Sequence, residues 1–125
     1  LYLKKFITDQ HENIDLIIVS GDWTQRGRPG QFREAVDFIR DIEKPIVSVP
    51  GNHDIPLYNL PIRFLDPYRL YRKFIEPLTQ KTYSDAQLAI FGMSTVNRFA
   101  IASGKVKEHE REALHQFFHQ HRSKT

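Results

Sequence analysis

The chain has 125 residues, of which 40% are apolar, and it contains no cysteine. This length suits one domain of about 100–150 residues, and the lack of cysteine excludes disulfides and thiolate metal sites. The formal net charge of +3 is too mild to indicate nucleic acid or an anionic membrane as a partner. No apolar run approaches the roughly 18 residues of a membrane-spanning helix, and no signal peptide is visible. These features favour a cytoplasmic protein.

The first half of the chain alternates between helical and strand patterns. Residues 1–10 are predicted to be the end of a helix, and Leu16–Val19 a strand. Gln31–Asp41 is predicted to be a helix, because its apolar residues recur at the spacing that buries one helical face. Those apolar residues are Phe32, Ala35, Val36 and Ile39. Pro45 ends this unit, and Ile46–Val49 is the next predicted strand.

The second half continues with shorter elements. The mixture of proline, asparagine and apolar residues from Ile55 to Phe64 predicts a loop. Asp66-Pro67 is typical of a helix start, so a helix is predicted from there to about Glu76. Thr82–Ser84 and Leu88–Phe91 are predicted to form a hairpin, and Glu108–His121 a final helix with Leu114, Phe117 and Phe118 facing inward.

Polar residues follow both early strands, at the point where each apolar run ends. Gly21-Asp22 follows the first run and Gly51-Asn52-His53-Asp54 follows the second. Apolar runs rich in Ile and Val suit parallel strands covered on both faces, and ligands gather outside the carboxyl ends of such strands. The two strand ends would therefore bring a carboxylate, an amide oxygen and an imidazole into one crevice. This set suits hydrolysis assisted by a divalent metal.

The two blocks resemble signature motifs of the calcineurin-like metallophosphoesterases. The block Gly51–Asp54 is the more specific of the two, and Asn52 follows Asp22 by 30 positions, enough for one crossover helix. The resemblance extends from about Asp15 to Phe118 and implies an α/β fold, part of an αββα sandwich. Ile55–Asn59 and Gly92–Thr95 look like bacterial members of the branch similar to cyclic nucleotide phosphodiesterases.

The chain also departs from the family pattern. A chain of this family normally opens with a strand ending in Asp-x-His and closes with one or two His-bearing blocks, typically ending in Gly-His-x-His. Neither is present here. We therefore expect residues 1–125 to be a single, incomplete metallophosphoesterase domain, an internal fragment of a longer enzyme that holds two of the five usual metal-binding blocks.

The resemblance implies two divalent metal ions, with manganese, iron or zinc as candidates, and a metal-bound hydroxide as nucleophile. Asp22 is the candidate for the bridge between the metals, because one carboxylate can offer an oxygen to each cation. Asn52 is the candidate for a neutral metal ligand. His53 is predicted to give a proton to the leaving oxygen, and Asp54 to orient His53 and favour its charged form.

Further residues are candidates for contacts with the substrate. Arg98 follows the predicted strand Leu88–Met93 at the same sheet edge and is the predicted substrate-binding residue, with a solvated charge as the alternative. Arg26 is interpreted as a solvated charge. Trp23 and Tyr58 either line the crevice or pack against the loop.

Simpler structural interpretations stay open beside these. Gly21-Asp22 and Gly51–Asp54 are each compatible with a plain polar turn. The basic and aromatic residues of the segment 63–74 suit either a nucleic-acid surface or, as we favour, an amphipathic helix. His115 and His119 have the spacing of a zinc helix but lack an acidic third ligand, so a solvated helix face is the favoured interpretation.

The sequence thus predicts a metal-dependent phosphoric ester hydrolase, a phosphodiesterase acting on a small phosphorylated substrate such as a cyclic nucleotide. A DNA-processing nuclease of the same superfamily is one alternative. A binding scaffold that has lost catalysis is another, although a scaffold has no need of the pair Asn52 and His53. The fragment alone is expected to be inactive.

Overall fold

A computed structural model of the protein describes residues 2–56, 59–97, 99 and 104–122. The α-helices in this part of the chain are α1 (Tyr2–Asp9), α2 (Pro29–Ile39), α3 (Leu60–Leu65), α4 (Arg69–Phe74) and α5 (Glu108–Gln120). The strands are β1 (Ile17–Val19), β2 (Ile46–Ser48), β3 (Thr82–Ser84) and β4 (Ala89–Phe91). Short 3-10 turns cover His11–Asn13, Asn52–Asp54 and Glu76–Leu78. The predicted α/β class is confirmed.

The first two strands pair in parallel, as the sequence predicted. Ile17 lies opposite Ile46 and Val19 opposite Ser48, with α2 as the crossover between them. The other edge of β2 pairs with Gln80, whose backbone N–H donates to the oxygen of Ile46 at 2.8 Å. All three residues of β2 are buried.

The prediction that both strands are covered on both faces is wrong for β1. Its middle residue, Ile18, is 60% exposed, whereas Val47 opposite it is 2% exposed. A parallel strand needs cover on both faces to bury every side chain. Within the described residues β1 has that cover on one face only, so Ile17 and Val19 are half-buried and Ile18 faces outward.

The main apolar core lies between α2, β2 and α4. The face of α2 that the sequence predicted to be buried is the buried one, and Val36 is partly buried and packs against the core. Phe32 is fully buried and stacks on Phe74 of α4, with ring centroids 6.0 Å apart. The buried residues of this core are Phe32, Ala35, Ile39, Ile46, Tyr71 and Ile75. This core holds α2 and α4 against the strand pair and so fixes the strand ends.

The segment after the second motif differs from the prediction of a loop. Helix α3 forms there because the Asn59 side chain accepts the backbone N–H of Ile62 and caps the first turn. The predicted cap at Asp66 is also wrong. Asp66 ends α3 and pairs with the guanidinium of Arg72, and α4 begins only at Arg69.

The last elements form as predicted, with small shifts of their ends. Strands β3 and β4 are antiparallel, with Thr82 opposite Phe91 and a turn in which Asp85 accepts the N–H groups of Gln87 and Leu88. Helix α5 packs on β4 through Phe117, which contacts Phe91. The prediction that Phe118 also faces inward is wrong, because its side chain is 42% exposed. No helix in the described ranges has both the length and the apolar content needed to cross a membrane.

Candidate active site

The two predicted motifs lie side by side at the carboxyl ends of β1 and β2. The parallel register places Val19 opposite Ser48, and the N–H of Val49 donates to the oxygen of Val19 at 3.3 Å. Both chains leave the sheet at the same edge, which brings Asp22 next to the turn Asn52–Asp54. The two strand ends are neighbours, as predicted, but the prediction of one shared crevice is wrong, because Asn52 and His53 line different cavities.

The loops approach so closely that only glycine fits at two positions. Gly21 has φ +117°, and a Cβ atom there would lie 2.7 Å from the Cα of Gly51. A Cβ atom on Gly51 would lie 2.1 Å from Oδ1 and 2.4 Å from the backbone nitrogen of Asp22. Neither contact is sterically allowed, so the glycines are what permits the two motifs to meet.

Asp22 occupies a constrained position between two cavities. Its φ is +58°, in the left-handed region that residues other than glycine seldom adopt. Its Oδ1 atom accepts the backbone N–H of His53 at 3.1 Å. One cavity, of about 220 Å³, is lined by Asp22 and Asn52, and the other, of about 720 Å³, by Asp22 and His53. A carboxylate that borders both cavities is well placed to bind groups on either side.

The imidazole of His53 is exposed and is oriented by a backbone carbonyl. Its Nδ1 atom lies 2.8 Å from the oxygen of Gln25. A carbonyl oxygen only accepts hydrogen bonds, so Nδ1 carries the hydrogen in this contact. The neutral ring then has its lone pair on Nε2, and that atom is the one available for proton transfer.

Asp54 does not have the partner that the sequence predicted for it. Its Oδ1 atom accepts the N–H of Thr24 at 2.9 Å and faces the Thr24 hydroxyl at 3.2 Å, and its Oδ2 atom accepts the N–H of Gly51 at 2.9 Å. The prediction that Asp54 orients the imidazole is therefore wrong in this structure: Gln25 does so instead, and Asp54 ties the two loops together.

The Asp54 carboxyl group is fully buried, and this affects its protonation. Burial raises the pKa of Asp54 above its ordinary value, because the charged form loses its hydration. The hydrogen bonds from Gly51 and Thr24 act in the opposite direction and are weaker in effect. The residue is thus a structural centre of the site rather than an exposed charge beside His53.

The buried hydroxyl of Ser48, on β2, supports the loop that contains Trp23. The Ser48 hydroxyl accepts the indole N–H of Trp23 at 2.7 Å and the Tyr71 hydroxyl at 3.0 Å. Trp23 is half-buried and lines the larger cavity, so the two interpretations offered for it both hold in part. Tyr58, the other aromatic candidate, lies outside the described residues.

Sequence reasoning missed Thr24 and Gln25. Thr24 is 5% exposed, and its hydroxyl lies 2.9 Å from the oxygen of His53. Its place two residues after Asp22 was the available signal, since a threonine in a polar loop often bonds to backbone groups. No sequence signal marks a backbone carbonyl such as that of Gln25, because every residue has one.

Other candidate residues lie elsewhere. Arg98 lies outside the described residues. His115 and His119 line a separate cavity of about 370 Å³ along α5. Of the basic residues considered for a nucleic-acid surface, Arg63 is 6% exposed and donates to the oxygen of Pro56, and Arg72 pairs with Asp66. These two charges make intramolecular contacts, but the segment forms the two short helices α3 and α4 rather than one amphipathic helix.

The donor atoms of the smaller cavity fit a divalent cation. Asp22 and Asn52 offer a carboxylate and an amide group there, and hard divalent cations accept such oxygen ligands. In the part of the chain that the structure describes, no three His, Cys, Asp or Glu side chains lie close enough together to hold a metal ion. Asp22 and Asn52 would thus be two ligands of such a site.

The parallel strand pair brings a carboxylate, an amide and an imidazole to two neighbouring loops that meet at glycines. The family model described as calcineurin-like phosphoesterase matches residues 2–123, and the chain belongs to that family. Its fold is accordingly the partial metallophosphoesterase fold predicted from the two motifs.

Curated relatives match over shorter stretches. A probable cyclic nucleotide phosphodiesterase of Synechococcus sp. is 33% identical over 42 residues, which cover 34% of this chain and 16% of the relative. A probable cyclic nucleotide phosphodiesterase of Vesicomyosocius okutanii is 34% identical over 53 residues, which cover 42% of this chain and 23% of the relative. The chain thus matches less than a quarter of the length of either relative.

Proposed function

We propose that this chain carries part of the active site of a metal-dependent phosphodiesterase, with Asp22, Asn52 and His53 as its functional side chains. The observation that carries the proposal is the contact between the two motifs, in which Oδ1 of Asp22 accepts the backbone N–H of His53 at 3.1 Å. This contact holds the Asp22 carboxylate, which can bind a metal ion, close to His53, whose ring can transfer a proton. Metal-assisted ester hydrolysis uses both groups.

Asp22 and Asn52 are the residues that would hold divalent metal ions. Asp22 borders both cavities and is therefore the one suited to bridge two cations, whereas Asn52 borders only the smaller cavity. Asn52 is neutral, so it would bind a cation without cancelling the positive charge that attracts a phosphate ester. When bound, two such ions, of manganese, iron or zinc, would activate water and offset the charge of the phosphoryl oxygens.

His53 would protonate the leaving oxygen of the ester. Its Nδ1–H is engaged with Gln25, so the ring would first take up a proton from solvent at Nε2 and would then give that proton to the leaving oxygen, which returns the ring to its neutral form. The ring is exposed on the larger cavity, which Asp22 also lines, and a substrate has access to it there. Arg98 stays a prediction as the residue that would contact the anionic ester.

A cyclic nucleotide is the substrate class that the names of the relatives favour. The nuclease alternative would need a basic surface, and Arg63 and Arg72 are engaged in intramolecular contacts instead. The scaffold alternative offers no reason for the ordered contact between Asp22 and His53.

The test uses the purified full-length protein supplied in turn with manganese, iron and zinc ions. We expect hydrolysis of a 3′,5′-cyclic nucleotide and of an aryl phosphodiester, lost on chelation and restored by the metal. Asp22→Asn should abolish it, whereas Asp9→Asn, at an exposed aspartate that pairs with Lys5, should not. Cleavage of DNA without cyclic nucleotide turnover would favour the nuclease, and no hydrolysis with any of the three metals would favour the scaffold.

A further inference from the structure

The hydroxyl of Thr24 joins both loops of the candidate active site. It lies 2.9 Å from the oxygen of His53 and 3.2 Å from Oδ1 of Asp54, and it accepts the N–H of Gly27 at 3.0 Å. Its single hydrogen is best placed to bond to His53, the nearer of the two acceptors. The hydroxyl is buried, so water does not compete for these bonds.

The same hydroxyl fixes the turn that presents the carbonyl of Gln25. Gln25 lies between Thr24 and Gly27, and the bond from the Gly27 N–H to the Thr24 hydroxyl closes the turn around it. Gly27 has φ +60° and packs so tightly on Ile55 that a Cβ atom would lie 2.9 Å from its carbonyl carbon. The turn therefore has little freedom to move relative to the second loop.

These contacts place the imidazole and its acceptor in one rigid frame. The backbone of His53 is held by the Thr24 hydroxyl, and the ring is held through Nδ1 by the Gln25 oxygen, 2.8 Å away. Since a carbonyl oxygen accepts only, this frame selects the ring form with hydrogen on Nδ1. It also directs Nε2 away from Gln25.

We propose that Thr24 is a positioning residue for His53: its hydroxyl holds the Gln25 carbonyl against Nδ1 and so reserves Nε2 for the substrate. The role in turnover rests on the proposed function, whereas the effect on the ring form does not. Thr24 touches neither the ester nor the metal in this proposal and acts only through His53.

The first test needs no variant. Long-range ¹H–¹⁵N spectra of the metal-free, full-length wild-type protein identify which ring nitrogen of His53 carries hydrogen. We expect the hydrogen on Nδ1. A neutral His53 with its hydrogen on Nε2 would overturn the proposal, whether or not the protein hydrolyses any ester.

The second test removes the hydroxyl. Thr24→Val should lower kcat by about 10–100-fold with KM nearly unchanged, since a misaligned proton donor loses part of its effect. The variant should also show a mixture of the two ring forms. Thr24→Ser keeps the hydroxyl and should restore kcat to within about threefold of wild type. Thr8→Val, at an exposed threonine whose hydroxyl donates to the oxygen of Lys4, is the matched control.

The outcomes separate the two proposals. A folded Thr24→Val with wild-type kcat and hydrogen only on Nδ1 would overturn the positioning role and leave the phosphodiesterase proposal standing. A wild-type protein without hydrolysis would overturn the function, while the ring form in Thr24→Val would still test the positioning. If Thr24→Val fails to fold, Thr24→Ala makes the same comparison with less crowding.

Discussion

The backbone N–H of His53 donates to Oδ1 of Asp22 across a distance of 3.1 Å. The bond joins the two motifs through the main chain of His53 and not through its ring. The imidazole instead contacts Gln25. A substitution at His53 can therefore remove the ring and leave the support of the Asp22 carboxylate in place, which separates proton transfer from metal binding.

His53→Ala in the full-length protein should lower turnover of an aryl phosphodiester by about 10²–10⁴-fold, the usual scale for a general acid. Its metal content should change little, because the N–H that supports Asp22 is retained. Metal analysis and steady-state kinetics measure the two effects. His115→Ala, on the exposed face of α5, should leave both unchanged. An equal loss of metal in His53→Ala would identify the ring as a ligand, and wild-type turnover would exclude it from catalysis.

Asp22→Asn and Asn52→Ala should differ in the number of metal ions that they lose. Asp22 borders both cavities, so removal of its charge should reduce the occupancy of two sites, whereas Asn52→Ala should weaken one. Quantification of bound metal in the purified variants decides this. Two fully occupied sites in Asp22→Asn would rule out a bridging role.

Gly51→Ala should disrupt the site although it adds only a methyl group. The new Cβ atom would lie 2.1 Å from the Asp22 carboxylate oxygen and would force the loops apart. A displacement of about 1 Å can cost about 10²-fold in turnover, and we expect a loss of at least that size. Gly30→Ala is the control, because no described atom beyond its chain neighbours and its own helix backbone lies within 4 Å of its Cβ position. Equal turnover in the two variants would show that the close approach of the loops is not required.

Ser48→Ala should destabilise the fold by about 1–3 kcal/mol, because the indole N–H of Trp23 and the hydroxyl of Tyr71 both lose their acceptor. Urea unfolding of the full-length protein gives the free energy of unfolding. Ser94→Ala is the matched control: the Ser94 hydroxyl is also buried but has no hydrogen-bond partner among the described residues. We expect the control to lie within about 0.5 kcal/mol of wild type.

Asp54→Asn should also lower the free energy of unfolding, by about 1–3 kcal/mol, because an amide NH₂ group replaces an acceptor of Thr24 or Gly51. The difference should depend on pH. Burial raises the pKa of Asp54 above 3.8, so the folded protein binds a proton there more readily than the unfolded chain. The advantage of wild type over the variant should therefore increase as the pH falls through the pKa of the folded state. A difference that shrinks over that range would contradict the assigned direction.

Much of the fold was accessible from the pattern of apolar residues. The spacing of Phe32, Ala35 and Ile39 predicted the buried face of α2, and the runs before Gly21 and Gly51 predicted parallel strands. Helix α3 escaped prediction because Pro61 and Asn59 are typical of loops, and the capping bond from Asn59 outweighs that tendency. The exposure of Ile18 also escaped, since a strand's apolar content does not say which face is covered.

For the candidate active site, the sequence by itself determined which residue types stand at the strand ends. These are Asp22, Asn52 and His53, each one or two residues after a glycine. These follow from local order along the chain. Only the tertiary structure decided their partners. The His53 ring bonds to a backbone oxygen, and the buried Asp54 carboxylate accepts backbone N–H groups. Buried main-chain groups need hydrogen-bond partners, and the packing of the two loops decides which side chains are close enough to supply them. Backbone donors and acceptors are the same at every position, so the sequence carries no mark of which ones will meet.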